Sequence, residues 1–230
     1  AGTTDPAKLD LLRRVTFYVV PMLNADGAVA NQRRNARNVD LNRDWVKQSQ
    51  PETQTIVRAV REIQPHLVVD LHELHPTDRT ASFVEAMEKE AGASAAVGAA
   101  CNAAIAAVVG PLRAQSTTIY ARPVNNYREP RLMHRYFAVR EGIPAILVET
   151  RRHGNTPLET RTATHYAALQ ATARYLAGYA LQTPQRVQAA WLEPGPERER
   201  ALKVEQLART RAAQNRQLAG RRGSASTDKK

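Results

Sequence analysis

A single cysteine, Cys101, is all the thiol chemistry the sequence holds. That excludes an intramolecular disulfide framework and any zinc site built from several thiolates. In its Ala-rich surroundings Cys101 reads as a small buried hydrophobe. Aromatic residues are scarce, at 5%, and are not interleaved with basic ones as in an RNA- or DNA-binding module, so specific nucleic-acid binding is not expected. No apolar run approaches the roughly 18–20 residues of a membrane span. The N-terminal AGTTDPAKLDLL lacks the basic and apolar regions of a signal peptide and has no initiator methionine, so a processed or truncated chain is expected. The helical zinc motif HExxH is missing too: in DLHELHP (70–76) the second histidine follows at three positions, one short.

What is present is an excess of positive charge, +11 in 230 residues, and its location matters. Residues 184–230 hold 11 Lys/Arg against 5 Asp/Glu, so +6 of the excess lies in the last fifth of the chain. With few core-forming residues beyond Trp191, this segment reads as a helix over about 197–218 and a disordered basic end, a solvated tail without a specific partner. The remaining 1–183 is long enough for one substantial α/β domain.

Within it, RVTFYVVP (14–21) reads as a buried strand and NADG (24–27) as a turn in which Gly27 can take positive φ. PETQTIVRAVREIQP (51–65) carries a helical period between two prolines. HLVVDLH (66–72) is a second buried strand, residues 82–109 read as helical, and TTIYARP (117–123) as a third strand. A short helix over 132–142 closes at Gly142, IPAILVET (143–150) is a fourth strand, and 160–181 is a long amphipathic helix. Strands alternating with helices predict an α/β fold with a mainly parallel sheet, whose chemistry collects at the strands' carboxyl ends.

Polar residues do cluster at those ends. His72 closes one apolar run; in a regular strand it faces opposite to Glu73, and taken alone it is open between a hydrogen-bonded structural histidine and a metal ligand. Glu149 closes ILVE, where an unpaired carboxylate is expensive to bury; it is a general base with a raised pKa or a salt-bridge partner of Arg151 or Arg152. VDLNRDW places Asn42 and Arg43 between two core anchors, Leu41 and Trp45, an arrangement suited to gripping a carboxylate.

Taken in order, PMLNADG, RRNARNVDLNRDW, DLHELH and AILVETR resemble the zinc carboxypeptidase family (peptidase M14) over about residues 14–180. The resemblance implies a three-layer α/β/α sandwich around a mixed, mainly parallel sheet. It implies hydrolysis of a C-terminal peptide bond by a water activated on one zinc ion. His72 matches a zinc ligand, Glu149 the general base, and Arg33 the arginine that polarises the scissile carbonyl. Asn42 and Arg43 match the pair that holds the substrate's terminal carboxylate, and Tyr127, 22 residues before Glu149, the tyrosine that caps it. Arg128, Arg131 and Arg135 fall in the region of the family's side-chain pocket and hint at acidic C-terminal residues. An extracytoplasmic location, periplasmic or secreted, is slightly favoured, because enzymes of this kind are often exported.

The sequence departs from the family in one respect. The two other zinc ligands of the family come from an HxxE motif upstream of the strand that ends in PMLN, and no His or Glu precedes that strand here. HPTD (75–78) and HGNT (153–156) have related spacings in the wrong places and are not replacements. The expectation is an N-terminally incomplete metallocarboxypeptidase domain whose single histidine is not enough for catalytic zinc. The alternatives are an N-acyl amino acid deacylase of the same superfamily, or a non-catalytic module that binds peptide C-termini.

Overall fold

The computed structural model describes residues 4–87, 92–114, 118–124 and 131–182. Both the basic segment 184–230 and Tyr127 lie outside them.

The helix α3 (Pro51–Ile63) starts with proline at its first position, where no N–H is needed. It ends at Gln64, which adopts φ 50°, just before Pro65. Its apolar stripe buries Val57 and packs Ile56 and Val60 against the sheet. Four strands follow the chain: β1 (Val68–Glu73), β2 (Ser82–Met87), β3 (Ile119–Val124) and β4 (Ala145–Thr150). They form one sheet in the order β1-β4-β2-β3, with β1 parallel to β4, β2 parallel to β3, and β2 antiparallel to β4. The sheet is therefore mixed, and its central strand β4 is the apolar run AILV, buried on both faces.

Two long helices, α4 (Ala95–Ala114) and α6 (Leu158–Gln182), cover one face. Val84, Ala86, Ile146 and Val148 point into that layer and meet Val97, Cys101, Ile105 and Val108 of α4 with Ala168 and Ala171 of α6. By length and composition α4 could cross a membrane, but its buried side chains are the centre of this core. The opposite face is covered by α3, by the short α5 (Met133–Tyr136) and by the π turn Phe137–Glu141 that Gly142 closes at φ 66°. There Trp45, Val57, Tyr136, Phe137 and Ala145 form a second core, with Trp45 tilted on Phe137 at a centroid distance of 5.7 Å. Helix–sheet–helix gives the three-layer α/β/α sandwich.

Three local expectations change. The run 14–21 is not a buried strand: after α1 (Pro6–Arg14) residues 15–20 pair with no strand among the described residues, with Tyr18 and Val19 67% and 74% exposed. High strand propensity makes no strand without a neighbour to complete the hydrogen-bond ladder. Residues 82–87 are strand rather than helix, because SFVEAM is clamped between β3 and β4. Gly27 is helical, inside α2 (Ala25–Val29), and is needed for room: a Cβ there would lie 2.2 Å from Asn24 Nδ2 and 2.6 Å from the Gln32 carbonyl oxygen.

Candidate active site

The segment 23–45 crosses the carboxyl end of β1 as an irregular loop held together by its own amides. Asn24 accepts from the Gly27 amide and donates to the Arg33 carbonyl, both at 3.0 Å. Buried Asn35 accepts from the amides of Arg37 and Val39 and donates to Gln50 and Glu52. Asp40 is a hub: Oδ1 caps the 3-10 turn Leu41–Arg43 by accepting the Asn42 amide at 3.0 Å, and Oδ2 accepts Arg33 Nε at 2.9 Å. Asp44 then fixes the far end of the turn, accepting from the Ser49 and Gln50 amides and the Ser49 and Thr53 hydroxyls. Burial pushes Asp44 up, and those hydrogen bonds outweigh it, so its carboxyl stays below the usual range.

This loop and the sheet enclose a cavity lined by Leu23, Asn24, Arg33, Asp40, Leu41, Asn42, Trp45, Asp70, His72 and Met133. Strand alternation puts Asp70 and His72 on one face of β1, and the register sets His72 beside Glu149 of β4. Glu73 points the other way and pairs with Arg161 of α6. His72 Nε2 lies 3.0 Å from Asp70 Oδ1. Burial lowers the basicity of His72, but the hydrogen bond and charge of Asp70, with Glu149 adding, raise it above that of an ordinary histidine. Burial raises Glu149 as well, and Asp70 and Glu85 add to this against the pull of His72 and Arg33. Two buried polar atoms at the cavity have no partner among the described residues, Asp70 Oδ2 and Trp45 Nε1.

Of the residues singled out from sequence, Arg33, Asn42 and His72 line the cavity, and Glu149 adjoins it through His72. Arg43 follows Asn42 and donates to its carbonyl at 3.1 Å. His75 bonds Thr77 in its own turn, and His153 bonds the Pro76 carbonyl; neither lines the cavity. Sequence reasoning missed Asp40, which the Asx cap before LNR signals, and Asp70, which stands two residues before His72 on the same face. It also missed Met133, which lines the cavity and whose amide donates to Asn42 Oδ1 at 3.3 Å.

Among the described residues no three His, Cys, Asp or Glu side chains converge as a metal-holding group. His72 is a single imidazole with one nitrogen engaged by Asp70, so these residues do not fit a catalytic zinc centre of three protein ligands.

Comparison with known proteins covers the first three of the four motifs in sequence. Residues 2–78 match the zinc carboxypeptidase family, Peptidase_M14. Carboxypeptidase SOL1 of Arabidopsis thaliana is 36% identical over 78 residues, 30% of this chain and 16% of that protein. Carboxypeptidase 2 of Trichophyton tonsurans is 36% identical over 63 residues, 27% of this chain and 12% of that protein. The fold matches a metallo-carboxypeptidase from Burkholderia cenocepacia with a TM-score of 0.63 at 23% identity, over 76% of this chain and 48% of that one. It also matches a Pseudomonas aeruginosa metallo-carboxypeptidase in complex with (2-guanidinoethylmercapto)succinic acid, TM-score 0.59 at 19% identity, over 78% and 50% of the two chains. The chain thus spans about half the length of these solved structures and a smaller share of the curated relatives. Over residues 2–78, which build the cavity loop and β1, the chain is similar in sequence to zinc carboxypeptidases (Peptidase_M14), and over its sheet and helices it shares the fold of the metallo-carboxypeptidases.

Proposed function

We propose that this chain carries the substrate-gripping and proton-handling part of a metallocarboxypeptidase site that removes C-terminal residues from peptides. The observation that carries the reading is that Arg33 and Asn42 of one loop line the same cavity as His72 of β1, with Arg43 next to Asn42 in the chain and Glu149 in register with His72. A substrate carboxylate accepts from the Asn42 amide nitrogen and the Arg43 guanidinium, both on the turn fixed by Asp40 and Asp44. The arginine tethered to Asp40, Arg33, steadies the oxyanion that forms at the scissile carbonyl. Glu149, more basic than an ordinary carboxylate, takes the proton of the attacking water and returns it to the leaving amine. In this reading His72 is one donor to the family's zinc and Tyr127 closes over the bound peptide. The described residues supply no second and third donor, so the metal enters none of these steps. A periplasmic or secreted location belongs to the same proposal.

The non-catalytic reading, a module that binds peptide C-termini, is favoured by that incomplete donor set. Both readings require recognition of a free carboxylate. Calorimetric titration of the chain with an N-acetylated dipeptide and with its C-terminal amide tests it. The free acid should bind at least about tenfold more tightly, and Arg43→Ala should erase the difference. Equal affinity for acid and amide would remove the basis of both readings. Peptide hydrolysis by the whole protein then separates enzyme from binding module.

A further inference from the structure

The carboxylate-gripping turn is wired to a second group of charges. Met133, whose amide bonds Asn42, begins α5, and the next two residues both reach Glu85 on β2: His134 Nε2 at 3.0 Å and Arg135 Nε at 3.0 Å, each to Oε1. Glu85 shares the sheet face of the site, since the register sets Phe83 beside Glu149 and Glu85 beside Leu147. Its side chain is only 3% exposed, and it stays ionised: burial pushes its carboxyl up, but His134 and Arg135 hold it below the usual range. Beside it on β3 stands Arg122, in register with Glu85. The Arg122 guanidinium lies 4.7 Å above the Phe83 ring, and its Nε is 3.5 Å from Glu85 Oε2.

The two arginines differ. Arg135 is 12% exposed and puts both Nε and Nη2 on Glu85, so that carboxylate already compensates its charge. Arg122 is 52% exposed and reaches the same carboxylate at longer range, one cation more than Glu85 can neutralise. Stacking on Phe83 holds its fork in a fixed plane. Asp78, whose carboxyl also feels Arg122, is only partly buried and accepts the Thr80 amide in its own turn, so solvent screens its pull on the guanidinium. The sequence pointed to Arg128, Arg131 and Arg135 for this role. Arg135 is committed to Glu85 and Arg128 lies outside the described residues.

We propose that Arg122 selects an acidic side chain on the C-terminal residue of the substrate. A residue whose carboxylate rests at Asn42 extends its side chain along the sheet floor toward Phe83 and Arg122, where a second carboxylate meets the guanidinium bidentately. A lysine or arginine at that position meets Arg122 and Arg135 and is disfavoured. This rests on the proposed function, because it presumes that the terminal carboxylate is held by the 3-10 turn.

The test is calorimetric titration of the full chain with N-acetyl-Ala-Glu, N-acetyl-Ala-Gln, N-acetyl-Ala-Leu and N-acetyl-Ala-Lys. The Glu peptide should bind about tenfold more tightly than the Gln peptide, with the Lys peptide weakest. Arg122→Gln should bring the Glu/Gln ratio near one. Arg122→Lys should restore part of the ratio. Wild-type binding of the Leu or Gln peptide as tight as the Glu peptide would overturn the proposal, as would an unchanged ratio in Arg122→Gln. If the amide of the Glu peptide binds as well as its acid, or no peptide binds, the proposed function fails with it. If the free acid is required but Glu is not preferred, only the role of Arg122 fails.

Discussion

The two faces of the sheet are built from the same strands and differ in almost everything else. Residues on the back face, Val84, Ala86, Ile146 and Val148, sit in an apolar cluster built mainly from α4 and α6, and Cys101 within it is buried so fully that its thiol is pushed up to about 12. The front face carries Asp70, His72, Glu85 and Glu149 one residue out of phase. Alternation lets one strand serve both purposes, so stability and chemistry are separated by a single peptide unit. Within the front face the buried Glu85 and the half-buried Glu149 differ as well. Glu85 has His134, Arg135 and Arg122 around it and lies below the usual carboxylate range. Glu149 has no such cage and lies above it. Partners make the first a structural anion and leave the second poised to take a proton.

Substitutions on the two faces should therefore have opposite profiles. The largest stability effect is expected on the back face. Ile146→Ala, at a fully buried position, should cost about 3–4 kcal/mol, read as a lower urea midpoint at unchanged slope. Free-carboxylate binding by the folded fraction should persist; its selective loss would show that the two faces are not separable.

The caged glutamate comes next. Glu85→Gln should cost about 2 kcal/mol at neutral pH by leaving Arg135 and His134 without their anion. The folded-state pKa of Glu85 is depressed, so its contribution is fully present above the unfolded value, about 4.3, and is lost as the pH falls through the lower folded value. Thermal midpoints of wild type and variant should converge on acidification below about pH 5. A gap that stays constant would mean that Glu85 contributes packing alone.

The smallest stability change belongs to the poised glutamate. Glu149→Gln should alter stability by less than about 0.5 kcal/mol, because it removes a half-buried charge without a tight partner and keeps the shape. It should also lower peptide hydrolysis by the whole protein by about 100-fold or more while binding of the free carboxylate is retained. Near-normal turnover in this variant would disprove the general-base role.

Much of this was legible in the chain. The 3.6-residue period and flanking prolines located α3 within two residues, Gly142 marked the end of the helical segment before β4, and the apolar runs before His72 and Glu149 are the strands that present them. Those signals are local: caps, turn residues and alternation act within a few residues of themselves. The order of the LNADG, VDLNRDW, DLHELH and ILVETR segments carried the resemblance to zinc carboxypeptidases, and with it the candidates Arg33, Asn42, Arg43, His72 and Glu149; the first three segments lie within the matched residues 2–78.

What the sequence alone could not determine is which segments find partners. SFVEAM and RVTFYVV both contain strand-forming residues; the first is a central strand because β3 and β4 lie on either side of it, and the second joins no strand of the sheet among the described residues. The same holds for charge. Composition counts Arg122, Arg135 and Glu85 alike, whereas packing assigns Arg135 to Glu85 and leaves Arg122 half exposed over Phe83. Strand pairing and ion pairing are contacts between residues far apart in the chain. The sequence supplied the candidates and their order, and the tertiary structure decided their neighbours, because a hydrogen-bond ladder or a buried charge is stable only with a partner that the local chain does not contain.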